Sequence, residues 1–71
     1  MLYFDGTHLA TDGDLEELHR EARRIGLKRE WFQGGENHPH YDVFGKPARS
    51  LTRNCTPRQL VRACYRQRQE A

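Results

Sequence analysis

Cysteine is scarce in this chain. Only Cys55 and Cys64 occur, and no Cys-x-x-Cys pair exists, which excludes a disulfide scaffold and a four-cysteine zinc site and leaves free, partly buried thiols. Long apolar runs are missing too, so there is neither a membrane span nor the core of a signal peptide, and the chain reads as cytoplasmic with no membrane partner. There is no Gly-x-Ser-x-Gly, P-loop or dinucleotide fingerprint, no internal repeat and no interdomain linker. No recognised metal-ligand spacing is present, so no metal ligand is assigned and the sequence names no cofactor.

What is there fits one small domain spanning residues 1–71. A chain of 71 residues buries only about 60% of the surface its unfolded form exposes, so its core is thin and self-association as a homodimer is one route to added stability. Hydrophobic residues make up 35% and charged residues 31%, polar for a folded chain but richer in Leu, Phe, Tyr and Trp than a disordered tail. The charge is divided unevenly. Residues 1–42 carry nine acids against five bases, net −4, whereas residues 43–71 carry seven bases against Glu70, net +6. Such polarity either pairs two halves of one domain or leaves a basic face for phosphates.

Met1–Phe4 has the aromatic alternation of a strand, with Asp5-Gly6 as its turn, and Thr7–Thr11 is a second short extended piece. Asp14 is placed as N-cap of a helix from about 14 to 26, with Glu17 completing a capping box, Leu15, Leu18, Ala22 and Ile25 as its core stripe, and His19 on its solvent side. Gly26 is the left-handed C-terminal glycine. Glu30–Gln33 is a short strand candidate and His40–Phe44 another, followed by a helical turn from Gly45 through Ala48 to Leu51. Thr56-Pro57 opens a last helix, about 56 to 69, with Leu60, Val61, Cys64 and Tyr65 as the buried stripe and Arg58, Arg62 and Arg66 on an outer face. The fold expected is α+β, two or three short strands with two flanking helices.

Chemistry concentrates between Lys28 and Lys46, which hold the only Trp and two of the four His in a run broken by Gly and Pro. One reading is recognition of a phosphate-bearing ligand, nucleic acid or nucleotide. Trp31, Tyr41 and Phe44 would stack on a base, Gln33, Lys46 and Arg49 would supply polar contacts, and Arg58, Arg62 and Arg66 would follow a backbone. Against it stands the plain reading that the aromatics fill the core and the arginines form a solvated face or pack on the acidic first helix. A second reading is catalysis. Asp5, His8, His40 and Asp42 converge if the first strand lies beside His40–Phe44, giving a His and carboxylate cluster for acid–base or metal-assisted work on a phosphodiester. His38, His40 and Asp42 alternate onto one side of a strand, but Pro39 resists a strand that begins so early.

The ordered series His8-Leu9, Glu16-Glu17-Leu18-His19, Arg24-Ile25-Gly26-Leu27, Arg29 with Trp31 and Gln33, then His40-Tyr41-Asp42 and Lys46 resembles a small uncharacterised family of bacteria and their phages, a domain of unknown function. The resemblance covers roughly residues 2–51, and the arginine helix departs from it. Carried over by position, it implies Asp5, His8, Trp31, Gln33, His40, Tyr41, Asp42 and Lys46 as site residues. The phage association implies a further role, an inhibitor that contacts a host protein or defence nucleoprotein through one of the two charged helices.

Overall fold

A computed structural model describes residues 1–35 and 38–70. Three strands, β1 (Leu2–Phe4), β2 (His8–Thr11) and β3 (Tyr41–Asp42), form an antiparallel sheet in that order. Three α-helices accompany it, α1 (Leu15–Arg24), the short α2 (Gly45–Arg49) and α3 (Pro57–Glu70). The domain is therefore α+β, as the pattern of short strands and capped helices implied.

The sheet is sandwiched. Residues of a strand alternate between faces, so Leu9 points one way with its partners Phe4 and Tyr41, and Ala10 points the other way with its partner Tyr3. Leu9, Phe4 and Tyr41 join Leu18, Ala22, Ile25, Leu27 and Val43 in the main core beneath α1. Ala10 meets Cys55, Leu60 and Cys64 in a smaller cluster beneath α3. Asn54 closes the open edge of β1, its Oδ1 accepting from Phe4 N at 2.9 Å and its Nδ2 donating to the Leu2 carbonyl at 3.1 Å.

The helix ends follow local chemistry. Asp14 caps α1 by accepting from Glu16 N at 2.9 Å. The Glu17 side chain does not close the expected capping box; it reaches the Met1 amine at 3.2 Å instead, because the N-terminal charge lies alongside. Gly26, at φ +94°, ends the helix with both bonds of a Schellman motif, Leu27 N to Ala22 O and Gly26 N to Arg23 O. Thr56 and Gln59 cap α3 reciprocally, Gln59 N to Thr56 Oγ1 at 3.1 Å and Thr56 N to Gln59 Oε1 at 2.8 Å.

Several expectations are corrected. Glu30–Gln33 is not a strand: Arg29–Trp31 makes a single 3₁₀ turn, and only Gln33 bridges to His40 before the Gly34-Gly35 pair. β3 is shorter than His40–Phe44, because Phe44 becomes the extended residue ahead of α2 and its side chain is exposed. His19 is buried rather than solvent-facing, packed edge-on against Phe32 at 4.7 Å. In α3 the buried positions are Leu60, Ala63, Cys64 and Gln67, while Val61 and Tyr65 are 45% and 60% exposed. Spacings of three, one and three make one narrow seam against the sheet, and the seam selects by position rather than by hydrophobicity.

Candidate functional site

The turn between β1 and β2 builds the first part of the site. Asp5 Oδ1 accepts from Thr7 N at 2.9 Å and from His8 N at 2.7 Å, and Gly6 takes φ +105° to let the chain reverse. The same carboxylate holds the His8 ring, Nδ1 to Oδ2 at 3.0 Å. Burial pushes the Asp5 carboxyl up, but the bonds from the His8 ring and from the His8 and Thr7 amides outweigh it and hold it below the ordinary range. Asp5 is a buried anion with its charge committed to His8.

Register supplies the second part. His8 on β2 stands directly opposite Asp42 on β3, and both lie on the face away from Leu9 and Tyr41, the face that α3 covers. His8 Nε2 comes to 3.7 Å from Asp42 Oδ1, and His40 Nε2 to 3.2 Å from the same oxygen. The two imidazoles meet edge to face at 5.3 Å between centroids. The His40 Nδ1 bonds to the His38 carbonyl, and Gln33 Nε2 donates to Asp42 Oδ2 at 2.6 Å. Asp5, His8, His40 and Asp42 thus lie in one corner, although the first strand does not lie beside β3 as expected: β2 stands between them and brings His8 to Asp42. His8, His40 and Asp42 each offer a ligand-type atom, all within 4.8 Å of one another.

Two cavities adjoin this corner. One of about 190 Å³ is lined by Asp5, His8, His38 and His40 with Pro57, Leu60 and Val61 of α3. The other, about 540 Å³, is a mostly apolar groove lined by Leu27, Trp31, Phe44 and Pro47 together with Gln33 and Asp42. Trp31 is 48% exposed and carries Lys28 Nζ 5.7 Å from its ring centre.

The remaining expected contacts separate. Tyr41 is fully buried and its hydroxyl bonds to His19 Nδ1 at 2.8 Å, so it is a core residue and not a ligand contact; its odd position in β3 sends it to the α1 face while Asp42 goes to the other. Lys46 and Arg49 are exposed on α2. Arg58, Arg62 and Arg66 are exposed on α3, but Arg66 is engaged within the domain, by Tyr3 Oη at 2.9 Å and Asp12 at 3.6 Å. Cys55 and Cys64 are free and buried. Leu27 and Pro47 were missed as groove residues, since nothing in their sequence context tells a groove wall from ordinary packing. No helix among the described residues is long and apolar enough to cross a membrane.

Fold and site together define a small α+β domain with a His and carboxylate corner at the end of its sheet. The chain belongs to DUF4031, a family of proteins of unknown function, which matches residues 5–64. The match runs past the span of the original resemblance and into α3, so Arg58 and Arg62 lie inside the family's extent. No curated protein and no solved structure matches the chain.

Proposed function

We propose that this domain binds a phosphate-bearing ligand, a nucleotide or a nucleic-acid end, with a base in the Trp31–Phe44 groove and the phosphate at the His8, His40 and Asp42 corner. The observation that carries the reading is the shared wall: Asp42 lines the aromatic groove and is also the residue on which both imidazoles converge. An apolar cleft that ends in a cluster of titratable groups is the usual form of a small-molecule site. A half-exposed indole beside a cation gives a stacking platform. Lys46 lies two residues after Phe44 and supplies positive charge on α2, with Arg49 one turn further. The Asp5 carboxylate fixes the His8 ring at that corner.

The test is a thermal-shift series of the purified chain with mononucleotides and short oligonucleotides at low and physiological salt. A ligand at a hundredfold its Kd adds about 2.7 kcal/mol to stability. Trp31→Ala is expected to abolish that shift, while the ligand-free chain stays folded at a lower melting temperature because half of the indole is buried. No shift with any phosphate ligand, or a shift that survives in Trp31→Ala, would overturn the assignment.

A further inference from the structure

We infer that His8, His40 and Asp42 form a three-ligand site for a divalent transition-metal ion, with Asp5, the His38 carbonyl and Gln33 as its outer supports. Distance is the first argument. Ligand atoms bound at about 2.0–2.1 Å around a tetrahedral ion stand about 3.3 Å apart, and Asp42 Oδ1 lies 3.2 Å from His40 Nε2 and 3.7 Å from His8 Nε2. The three ligand atoms all lie within 4.8 Å of one another, so binding an ion requires them to draw together.

The hydrogen bonding on the far side of each ligand is the second, independent argument. His8 Nδ1 faces the buried Asp5 carboxylate at 3.0 Å and His40 Nδ1 faces the His38 carbonyl. Both acceptors lack hydrogens of their own, so each ring donates from Nδ1, and in the neutral ring the Nε2 lone pair is left pointing at Asp42. Asp42 is itself held through its other oxygen by Gln33. Two lone pairs and a carboxylate oxygen aimed at one point repel one another unless a proton or a metal cation lies among them. Imidazoles that donate their remote N–H to a carboxylate or carbonyl are the usual setting of metal-bound histidine.

Donor type decides the ion. Two imidazoles and one carboxylate suit zinc, cobalt or iron(II), whereas magnesium and calcium prefer all-oxygen shells. Three protein ligands leave a position open, the arrangement of catalytic rather than structural sites. Two of the three ligands, His8 and His40, line the 190 Å³ cavity. The inference goes beyond the ligand reading and does not depend on it: an ion would offset the negative charge of Asp5 and Asp42 toward a phosphate, but its binding is measured alone.

The experiment uses the untagged full chain, stripped with a chelator, and follows Co²⁺ by visible absorption and Zn²⁺ by calorimetry. One ion per chain is expected, with no response to Mg²⁺ at the same concentration. Asp5→Asn, which loosens only an outer support, should weaken binding about 10- to 100-fold. His40→Ala and Asp42→Asn should weaken it further, with circular dichroism showing each variant folded; Asp42→Asn keeps the side-chain shape if the alanine variant does not fold. No stoichiometric binding of either ion, affinity untouched by Asp42→Asn, or the near-ultraviolet charge-transfer band of a cobalt thiolate from Cys55 or Cys64 would each overturn the assignment.

Discussion

Replacing Tyr41 by Phe removes a single oxygen from the middle of the main core. In the native chain the hydroxyl bonds to His19 Nδ1 at 2.8 Å, both residues are buried, and the His19 ring is walled in by Phe32 at 4.7 Å and by the Tyr41 ring at 5.8 Å between centroids. No other partner for this nitrogen lies within hydrogen-bonding distance among the described residues, and every buried side-chain polar atom described has a partner in the native fold. Phe keeps the ring and its packing, so the cost is that of stranding a buried polar nitrogen, about 1–3 kcal/mol. In a domain of this size 1 kcal/mol moves Tm by roughly 4–8 °C, so Tyr41→Phe should melt at least about 4 °C lower, with an unchanged denaturant m-value. A double-mutant cycle with His19→Leu isolates the pair, and the double variant should lose less than the sum of the singles, since no unpaired group then remains. An unchanged Tm in Tyr41→Phe, or an additive cycle, would refute this account. An unchanged Tm together with lost ligand binding would move Tyr41 from the core to the site.

Two further outcomes follow from buried groups. Burial lowers the His19 pKa, the charge of Arg29 lowers it further and Glu16 opposes them, so the unfolded chain takes up a proton at a higher pH than the folded one. The His19 contribution to stability is then complete above the unfolded value of about 6.5 and falls away as pH drops below it; urea midpoints at pH 7.5 and 5.5 should differ more in the native chain than in His19→Leu, and equal differences would refute it. The Cys64 thiol is pushed up to about 11 by burial and donates to the Pro39 carbonyl. It should resist a thiol-specific disulfide reagent in native buffer and react once denaturant is added; rapid labelling of Cys64 in the folded chain would contradict its placement.

How far the sequence reached depended on the range of each interaction. Asp14, Gly26 and Thr56-Pro57 announced the helix ends because a cap is made within a few residues of itself. The stripe Leu15, Leu18, Ala22 and Ile25 was legible because one helix period puts those side chains on one side. Asp5, His8, His40 and Asp42 were legible as a chemical set, but their meeting was expected only if the first strand lay beside His40–Phe44. The sheet brings β2, not β1, against β3, and the His8–Asp42 register decides which atoms meet.

Packing decided the rest. Whether Tyr41 or Asp42 faces the His8 and His40 corner turns on one residue of strand register, since alternate side chains leave the sheet on opposite faces. His19 looked polar on its own helix and became buried only because Phe32 and Tyr41 arrive from later in the chain. Val61 and Tyr65 matched a hydrophobic pattern, but the sheet surface accepts a seam through Ala63 and Gln67 and leaves those larger side chains in water. Caps, turns and amphipathic faces were determined by the sequence itself, because their partners are close along the chain. The site, its groove and the buried polar pair were decided only by the tertiary structure, because their partners are distant in sequence and meet through the register of three short strands.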